Sequence, residues 1–482
     1  MAHELPYRYT IGLEVHVELN TATKMFCRCI NEPFGSEPNT HLCPVCLGLP
    51  GTMPVPNREA VKKIVLVGKA IGSEINKLSK WDRKHYFYPD SPKGYQISQY
   101  DLPFCVGGQL ALLNKNGEED AVIRFERVHL EEDAGKLMHG HAGYSKVDLN
   151  RVGVPLIEMV TKPDLHTPEH ARAFMQEVRL LVRTLGVSTG DMEKGNMRCD
   201  VNVSIQFEFE GKEVSSPITE IKNVNSTRSV ERSIAAEGQR LYNEWMAGGP
   251  IRERTYKLTA GWDEEKEAIR INRTKEAANE YRYFPEPDLP PVKVFETEDL
   301  NPDHMTVPEL PNEFRKRSIA AGIMMPDIEV FLADAPRLRR LEELASSLPT
   351  KSVANWLVNT PESAELSDEQ FAELLQLAEE GSLPAATAKQ RLGDIITELK
   401  KDGSQGLKAA AKTLGLLQEH DDSVVQSAIA TVLAANPQAI AQFKEGKMQI
   451  VGFVVGQVMK QATGKASPAK VQEAVRQALE AA

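Results

Sequence analysis

The stretch YTIGLEVHVELN at residues 9–20 constrains the fold most, because apolar and polar residues alternate in it without a break. A period of two is typical of a β-strand that buries one of its faces. The apolar face carries Ile11, Leu13, Val15, Val17 and Leu19, and the polar face carries Gly12, Glu14, His16, Glu18 and Asn20. The pattern predicts a sheet with one packed side and one side that bears ionisable groups.

A second stretch, RCDVNVSIQF at residues 198–207, alternates in the same way, with Arg198, Asp200, Asn202 and Ser204 on its polar face. Helical periodicity in TPEHARAFMQEVRLLVRTLG at 167–186 indicates helices between the strands. We therefore expect an α+β protein whose large mixed α/β domain spans residues 1–295. The Pro-rich segment YFPEPDLPPVKV ends that domain.

The remainder of the chain has helical patterns, which predict a helical domain at 296–405 and a small helical tail domain at 406–482. A capping box at Ser367 and Gln370 marks one helix start, and Gly381 marks its end. In the tail, Gly452 and Gly456 have the GxxxG spacing that predicts close helix packing.

The formal net charge of −11 argues against a nucleic-acid coat over the whole surface, although it leaves room for a local basic groove. Such a groove is one interpretation of the tail, and an ordinary solvated helix face is the other. From residue 444 onward, the basic residues are Lys444, Lys447, Lys460, Lys465, Lys470 and Arg476, and the acids are Glu445, Glu473 and Glu480. The sequence shows neither a signal peptide nor an apolar run long enough for a membrane span, so we expect a cytoplasmic protein.

Four of the six cysteines lie close together, in the pattern C-x-C-x13-C-x2-C formed by Cys27, Cys29, Cys43 and Cys46. Because cytoplasmic thiols stay reduced, disulfides are a poor explanation for the pattern. The spacing suits two turns that each offer two thiolates to one tetrahedral Zn²⁺, and a reduced, metal-free cluster is the alternative. With four thiolates the ion would have no open position, so the predicted zinc site is structural.

The candidate catalytic and metal-binding residues are one histidine and several glutamates. Glu14 and His16 share one strand face, HLEEDAGK supplies Glu131 and Glu132, and VPLIEMV places Glu158 among apolar neighbours. A carboxylate among apolar side chains is costly to bury without a partner. If these groups converge, they suit a hard divalent ion. The simpler interpretation of the spacing is that the strand carboxylates form salt bridges. The sequence has neither a P-loop nor the HExxH motif.

Taken together, several motifs resemble those of the B subunits of bacterial tRNA-dependent amidotransferases. These motifs are IGLEVHVEL, YFYPDSPKGYQISQYD, HLEEDAGK, DLNRVGVPLIEMV, MRCDVNVS, EIKNVNS and, near the end, GFVVGQVMK. They occur in the family's order, and the resemblance runs from about residue 7 to the end of the chain.

The resemblance implies an ATP-dependent enzyme with a cradle domain, a helical domain and a tail that contacts tRNA. It implies Mg²⁺ at His16, Glu132 and Glu158, with Glu14 and Glu131 beside them. The family activates the side chain of Glu-tRNA(Gln) or Asp-tRNA(Asn) as an acyl phosphate and amidates it with ammonia from a glutaminase A subunit. A small C subunit completes the heterotrimer, and Lys84 and Tyr86 are candidates for the ammonia path.

Two rival interpretations belong to other functional classes. A non-catalytic zinc-ribbon RNA-binding protein would explain the cysteines and the basic tail, but it would leave the carboxylates of HLEED and LIEMV unexplained. A free-standing ATP-dependent ligase would need its own nitrogen-donor site, and the sequence lacks the signature of an amidase nucleophile.

Overall fold

A computed structural model describes residues 5–139, 143–209, 211–247, 257–275, 281–401, 406–418, 422–444, 448–461 and 468–481. The chain divides into two compact units, residues 1–316 and 317–482, which are described separately below. Within the described residues, no helix has the length and apolar character needed to cross a membrane.

The first unit is built around a mixed sheet. Its strands are β1 (Arg8–Glu18), β2 (Glu74–Ile75), β3 (Leu78–Ser79), β4 (Asp82–His85), β5 (Tyr95–Ser98), β6 (Cys105–Val106), β7 (Gln109–Leu113), β8 (Glu119–Glu132), β9 (Lys136–His139), β10 (Ser145–Asp148), β11 (Pro155–Thr161), β12 (Met197–Phe209), β13 (Lys212–Ser215), β14 (Ile218–Val224), β15 (Lys257–Asp263), β16 (Ala268–Lys275), β17 (Phe284–Pro285) and β18 (Val292–Lys293). Its helices are α1 (Arg58–Ala70), α2 (Pro168–Thr184) and α3 (Thr227–Met246), and α4 (Pro311–Ala320) crosses its C-terminal boundary.

Within the described part of the chain, eleven strands form the main sheet, in the order β16-β15-β14-β12-β1-β11-β8-β6-β2, with β13 beside β12 and β7 beside β8. Neighbouring strands are antiparallel except for β14 and β15, which α3 connects as a parallel pair. The first predicted strand, β1, lies between β11 and β12. The α+β class expected from the sequence is therefore confirmed.

Alternation along β1 divides the sheet into two faces. Ile11, Leu13, Val15 and Val17 are almost completely buried and belong to the main hydrophobic core. Helices α2 and α3 pack against this face, with Phe174 among the core residues. Thr10, Gly12, Glu14 and His16 therefore lie on the opposite face, because successive side chains of a strand point to opposite sides.

The second unit is helical. Its helices are α5 (Met325–Ala333), α6 (Ala335–Ala345), α7 (Thr350–Asn359), α8 (Asp368–Glu379), α9 (Ala385–Lys401), α10 (Leu407–Thr413), α11 (Asp422–Ala435), α12 (Pro437–Lys444), α13 (Gln449–Gln461) and α14 (Pro468–Ala481). The capping box is confirmed at the start of α8, where the Ser367 and Gln370 side chains each accept a hydrogen bond from the other residue's backbone N–H. Helix α10 packs on α8 and α9, whereas α11 to α14 share a separate apolar core.

The prediction of close helix packing at the GxxxG spacing is wrong. Gly452 and Gly456 are exposed, and a Cβ at either position would meet no described atom within 4 Å. Val454 and Val458 of the same helix, α13, are buried instead. The apolar contact of α13 therefore depends on its branched residues, and the two glycines lie on the other side of the helix.

Replacing Ile11 by alanine tests the packed face of β1. Because Ile11 is fully buried, Ile11→Ala should lower the free energy of unfolding by about 2–5 kcal/mol, through lost apolar contacts and the cavity left behind. Urea denaturation followed by circular dichroism measures the change. Arg8→Ala is the matched control on the same strand, because its exposed ion pair with Glu213 contributes little. Equal effects of the two substitutions would contradict the assigned faces.

Candidate active site

Strand register aligns the polar residues of four neighbouring strands on the open face of the sheet. Across β12, β1, β11 and β8, Arg198 is paired with His16, His16 with Glu158, and Glu158 with His129. Directly opposed residues have Cβ atoms about 4.5–5.5 Å apart, so their side chains interact. The open face therefore carries a row of charged and titratable groups across its centre.

Glu158 is the buried centre of that row. Its carboxylate lies 3.4 Å from the Nε2 atom of His16 and 3.4 Å from the Nε2 atom of His129. Burial raises the pKa of a carboxyl group, but the two imidazoles outweigh burial and hold the pKa of Glu158 well below its usual range. Glu158 is therefore a carboxylate, as a cation site requires.

Neighbouring carboxylates raise the pKa values of both histidines. Burial by itself lowers the pKa of His129, but the charge of Glu158 and the bonds to Glu131 and Glu158 raise it to about 9. Burial also opposes protonation of His16, whose pKa is nevertheless raised by its bond to Glu158. The Nδ1 atoms of both rings are buried and have no hydrogen-bond partner among the described residues.

His16, Glu131 and Glu158 form one group of potential metal ligands. One potential ligand atom from each residue lies within 4.8 Å of the others. Glu131 also accepts a hydrogen bond of 2.9 Å from the hydroxyl of Ser98, which orients its carboxylate. An imidazole and two carboxylates are suitable ligands for a divalent cation.

Glu132 belongs to a different set of contacts from Glu131. Its carboxylate forms an ion pair with Lys93 and accepts a hydrogen bond of 2.9 Å from the backbone N–H of Ile97. The structure therefore brings Glu131, rather than Glu132, together with His16 and Glu158. Adjacent strand residues point to opposite sides, which accounts for the separation of Glu131 from Glu132.

Glu14 lies in a second acidic group, with Asp200 and Glu220. Glu14 is directly opposite Asp200 in the pairing of β1 with β12, and Glu220 belongs to β14 on the far side of β12. The Lys222 ammonium forms ion pairs with Asp200, at 2.7 Å, and with Glu220. Three carboxylates and one ammonium suit the charge pattern of a metal-bound phosphate chain.

A cavity of about 290 Å³ joins the two groups, and its lining includes His16, Glu131, Asp200 and Lys222. Arg198 reaches the same cavity and holds Asp133 by two hydrogen bonds of 2.7 and 2.8 Å. The cavity is therefore lined by charges of both signs, which suits a substrate that carries carboxylate and phosphate groups.

Lys84 and Tyr86 also line this cavity. The Lys84 ammonium lies 5.1 Å from the centre of the Tyr281 ring. Burial lowers the pKa of Lys84, but the negative charge of Glu131 and that of Glu158 outweigh it and raise the pKa above its usual value. Lys84 is therefore a cation that faces the metal-ligand group.

The four cysteines converge as the sequence predicted. The sulfur atoms of Cys27, Cys29, Cys43 and Cys46 lie within 4.8 Å of one another, close to the separation of about 3.8 Å that Zn–S bonds of 2.3 Å give in a tetrahedron. The backbone N–H of Cys43 donates to the sulfur of Cys46 at 3.2 Å, and a hydrogen bond with Cys27 contributes most to lowering the pKa of Cys46, to about 5. The cluster fits a metal ion such as zinc.

The cysteine loop lies next to the charged cavity. A second cavity of about 200 Å³ is lined by Cys27, Cys46 and Gly48, and it shares Lys93 and Glu132 with the first. Gly48 has a φ of +66°, and a Cβ there would lie 2.4 Å from the Lys93 side chain. Only glycine permits this backbone angle together with such a close approach.

Several residues of the site were not predicted from the sequence as ligands or partners: His129, Asp200, Glu220 and Lys222. The signal for His129 was available, because it lies two residues before Glu131 and so shares its strand face. Glu220 and Lys222 join the site only through the pairing of β14 with β12, which no local pattern reveals.

Similarity to known proteins covers nearly the whole chain. Residues 9–298 match the family model described as the GatB/GatE catalytic domain, and residues 341–479 match the model described as the GatB domain. The catalytic-domain match includes every residue of the charged cavity described above.

Relatives from several bacteria share one name. The B subunit of the aspartyl/glutamyl-tRNA(Asn/Gln) amidotransferase of Thermomicrobium roseum is 42% identical, over 99% of each chain. The B subunit of that name in Rhodopirellula baltica is 40% identical, over 98% of this chain and 96% of the relative. The corresponding protein in Thermotoga maritima is 39% identical, over 98% and 99%. This chain therefore belongs to the family of tRNA-dependent amidotransferase B subunits, as its motifs implied.

Proposed function

We propose that this chain performs the activation and amidation steps of a tRNA-dependent amidotransferase. Its substrates are Glu-tRNA(Gln) or Asp-tRNA(Asn), ATP and ammonia. The observation that carries the proposal is the convergence of two acidic groups, His16–Glu131–Glu158 and Glu14–Asp200–Glu220, on one side of the sheet in a chain of this family.

The chemistry begins with a poor electrophile. A side-chain carboxylate resists attack by ammonia because oxide is a poor leaving group. Transfer of the γ-phosphoryl group of ATP to a carboxylate oxygen forms an acyl phosphate and releases ADP. Ammonia then attacks the carbonyl carbon, inorganic phosphate leaves, and loss of a proton yields the amide. Arg198, Lys222 and Lys84 offer positive charge to the carboxylate and phosphate groups in the cavity.

Mg²⁺ fits the ligands present at this site. His16, Glu131 and Glu158 would hold one ion, and the all-carboxylate group of Glu14, Asp200 and Glu220 has the oxygen ligands that Mg²⁺ prefers. When bound, the ion neutralises phosphate charge and aligns the transferred group. Glu132 lines the same cavity but lies outside this group, because its carboxylate is paired with Lys93.

Ammonia must come from a partner, because the chain has no amidase nucleophile signature. The relatives are named as subunits, which implies a multi-subunit enzyme. We propose a heterotrimer in the cytoplasm with a glutaminase A subunit and a small C subunit. Lys84 and Tyr86, which line the charged cavity, are the proposed end of the ammonia path.

The rival functions lack support from a specific observation. A non-catalytic zinc-ribbon RNA-binding protein has no need for Glu158, a carboxylate buried at a free-energy cost and held between two imidazoles. A free-standing ligase would require its own amide-hydrolysing site. An assay with the purified chain, ATP, misacylated tRNA and ammonium salt separates the three functions.

We assign zinc to the cysteine cluster and tRNA contact to the tail. Lys444, Lys460 and Arg476 belong to the described part of the tail, whereas Glu445, Lys447 and Lys465 lie outside the described residues. Because helices α11 to α14 share their own apolar core, residues 422–482 are the natural unit to remove in a test of tRNA contact.

The Glu158→Gln substitution tests the activation site. The amide is nearly isosteric but removes the charge, so tRNA-dependent ATP hydrolysis by the assembled complex should fall about 100-fold or more. Glutaminase activity, assayed in parallel, should change much less. Glu126→Gln, an exposed glutamate on the same strand as Glu131, is the matched control and should retain activity. Normal ATP turnover in both Glu158→Gln and His16→Ala complexes would place activation elsewhere.

The Cys43→Ser substitution tests the zinc assignment. Metal analysis of the unmodified chain should find about one zinc per chain. The substitution should lower zinc content and thermal stability, with a smaller effect on amidation. Cys105→Ala, at a buried cysteine outside the cluster, should keep its zinc. Unchanged thermal stability after zinc removal would refute a structural role.

Deleting residues 422–482 tests the tail. The truncated complex should bind tRNA more weakly because it loses basic groups, while amidation at saturating tRNA should continue. Filter binding at near-physiological salt measures the change, and ATP hydrolysis at saturating tRNA is the control for the first unit. Equal tRNA affinity of the full-length and truncated complexes would rule out residues 422–482 as a contact.

A further inference from the structure

One carboxylate in the charged cavity has no cation beside it. The aspartates and glutamates that line the cavity are Asp90, Glu131, Glu132, Asp133 and Asp200. Four of them face a basic side chain, in the pairs Glu131–His129, Glu132–Lys93, Asp133–Arg198 and Asp200–Lys222. Asp90 forms no ion pair with a described residue, and its Oδ1 atom is buried without a hydrogen-bond partner among them. Of the five carboxylates, it is therefore the one that the described residues leave without a basic partner.

Backbone contacts place Asp90 at the wall of the cavity. It lies in the turn between β4 and β5, where the Ser91 N–H donates to the Tyr88 carbonyl at 2.9 Å. The Gly135 N–H donates to the Asp90 carbonyl at 2.8 Å, and a Cβ on Gly135 would lie only 3.1 Å from that oxygen. Glycine therefore permits this close approach. None of these hydrogen bonds uses the Asp90 carboxylate, so the carboxylate is not what holds the turn.

A carboxylate without a partner costs free energy at this position. Burial raises the pKa of the Asp90 carboxyl group, and the negative charge of Asp133 adds to the rise. The backbone N–H of Asp90 itself and the positive charge of Arg151 oppose the rise only in part. A bound cation would remove this cost, because it replaces the hydrogen bonds to water that burial has taken from the carboxylate. Asp90 belongs to none of the groups of potential metal ligands among the described residues, so an organic ammonium suits it better than a metal ion.

Lys84 has the opposite charge and also lacks an ion pair. It lies on β4 of the same hairpin, and its ammonium lies 5.1 Å from the centre of the Tyr281 ring without an ion pair to any described residue. The β4–β5 hairpin therefore presents one unpaired carboxylate and one unpaired ammonium to the same cavity. A glutamyl or aspartyl ester carries the complementary pair, an α-ammonium group and a side-chain carboxylate. The unpaired charges of the cavity thus match those of an aminoacyl ester.

We infer that Asp90 binds the α-ammonium group of the aminoacyl ester on the misacylated tRNA. The inference rests on the proposed function and names the group by which its substrate is recognised. With the ammonium on Asp90, the side-chain carboxylate of the ester is left to meet Lys84 and the potential metal ligands His16, Glu131 and Glu158. Glutamyl and aspartyl esters share the α-ammonium group, so one aspartate serves both substrates. An ester whose α-nitrogen is acylated has no ammonium charge, and the site therefore rejects it.

The Asp90→Asn substitution and a modified substrate test the inference together. The modified substrate is tRNA(Gln) esterified with 2-hydroxyglutarate, in which a hydroxyl replaces the α-ammonium group at nearly the same size. The unmodified complex, supplied with ATP and ammonium salt, should amidate glutamyl-tRNA with a kcat/KM about 10- to 100-fold above that for the hydroxy analogue. Asp90→Asn should lower kcat/KM for glutamyl-tRNA by about that factor and leave kcat/KM for the analogue nearly unchanged.

Two controls separate recognition from folding. Asp101→Asn, at an exposed aspartate that does not line the cavity, should keep the full preference for glutamyl-tRNA. The affinity of the Asp90→Asn complex for uncharged tRNA(Gln), which has no aminoacyl group, should equal that of the unmodified complex. If the variant fails to fold, the two substrates still decide the matter on the unmodified complex.

Three results would overturn the inference. Equal kcat/KM values of the unmodified complex for the two substrates would mean that the α-ammonium group is not recognised. An unchanged preference in a folded Asp90→Asn complex would place its recognition elsewhere. An equal fall for both substrates would show that Asp90 acts on the turn or on the incoming ammonia instead.

Failure of the inference is distinguishable from failure of the proposed function. If Glu158→Gln abolishes ATP turnover and Asp90→Asn keeps the preference for glutamyl-tRNA, the activation site stands and only the assignment of the α-ammonium group falls. If Glu158→Gln retains normal turnover, the proposed function falls whatever the Asp90→Asn complex shows.

Discussion

The register of β1 between β11 and β12 is the constraint on which the rest of the site depends. One face of β1 is apolar and fully buried, and the other carries Glu14 and His16. A slip of one residue would move Leu13 and Val15 to the open face and force both ionisable groups into the core. The hydrophobic effect that stabilises the sheet therefore also fixes which polar residues meet across four strands.

Glu158 shows how this register makes a buried charge tolerable. Removing a carboxylate from water is costly, and a lone one at this position would neutralise instead. The register places an imidazole on each side of Glu158, both within 3.4 Å, so the charge is compensated from neighbouring strands. The same arrangement concentrates basic and acidic groups at the edge of one cavity.

The sequence alone predicted those features that depend on local pattern. Alternation identified the faces of β1 and β12, the cysteine spacing identified a cluster, and Ser367 identified a helix start. Long-range pairing was not predictable, so Glu220 and Lys222 were missed, although they reach the site from β14. The family resemblance named Glu132, yet the structure places its neighbour Glu131 with His16, because the two glutamates point to opposite sides of β8. The GxxxG spacing misled because a spacing of four fixes which helix residues share a face but not whether that face is buried.

The cysteine loop influences the charged cavity through Lys93. Gly48, in the knuckle that Cys43 and Cys46 define, packs directly on the Lys93 side chain, and Lys93 forms the ion pair with Glu132. Lys93 and Glu132 line both the cavity beside the cysteines and the cavity beside His16. An ordered loop therefore holds the wall between the two cavities. By contrast, strands of the main sheet position all residues of the His16–Glu131–Glu158 and Glu14–Asp200–Glu220 groups. A metal bound in the loop would therefore order one wall of the cavity, whereas the loop contributes none of the residues of the His16–Glu131–Glu158 and Glu14–Asp200–Glu220 groups.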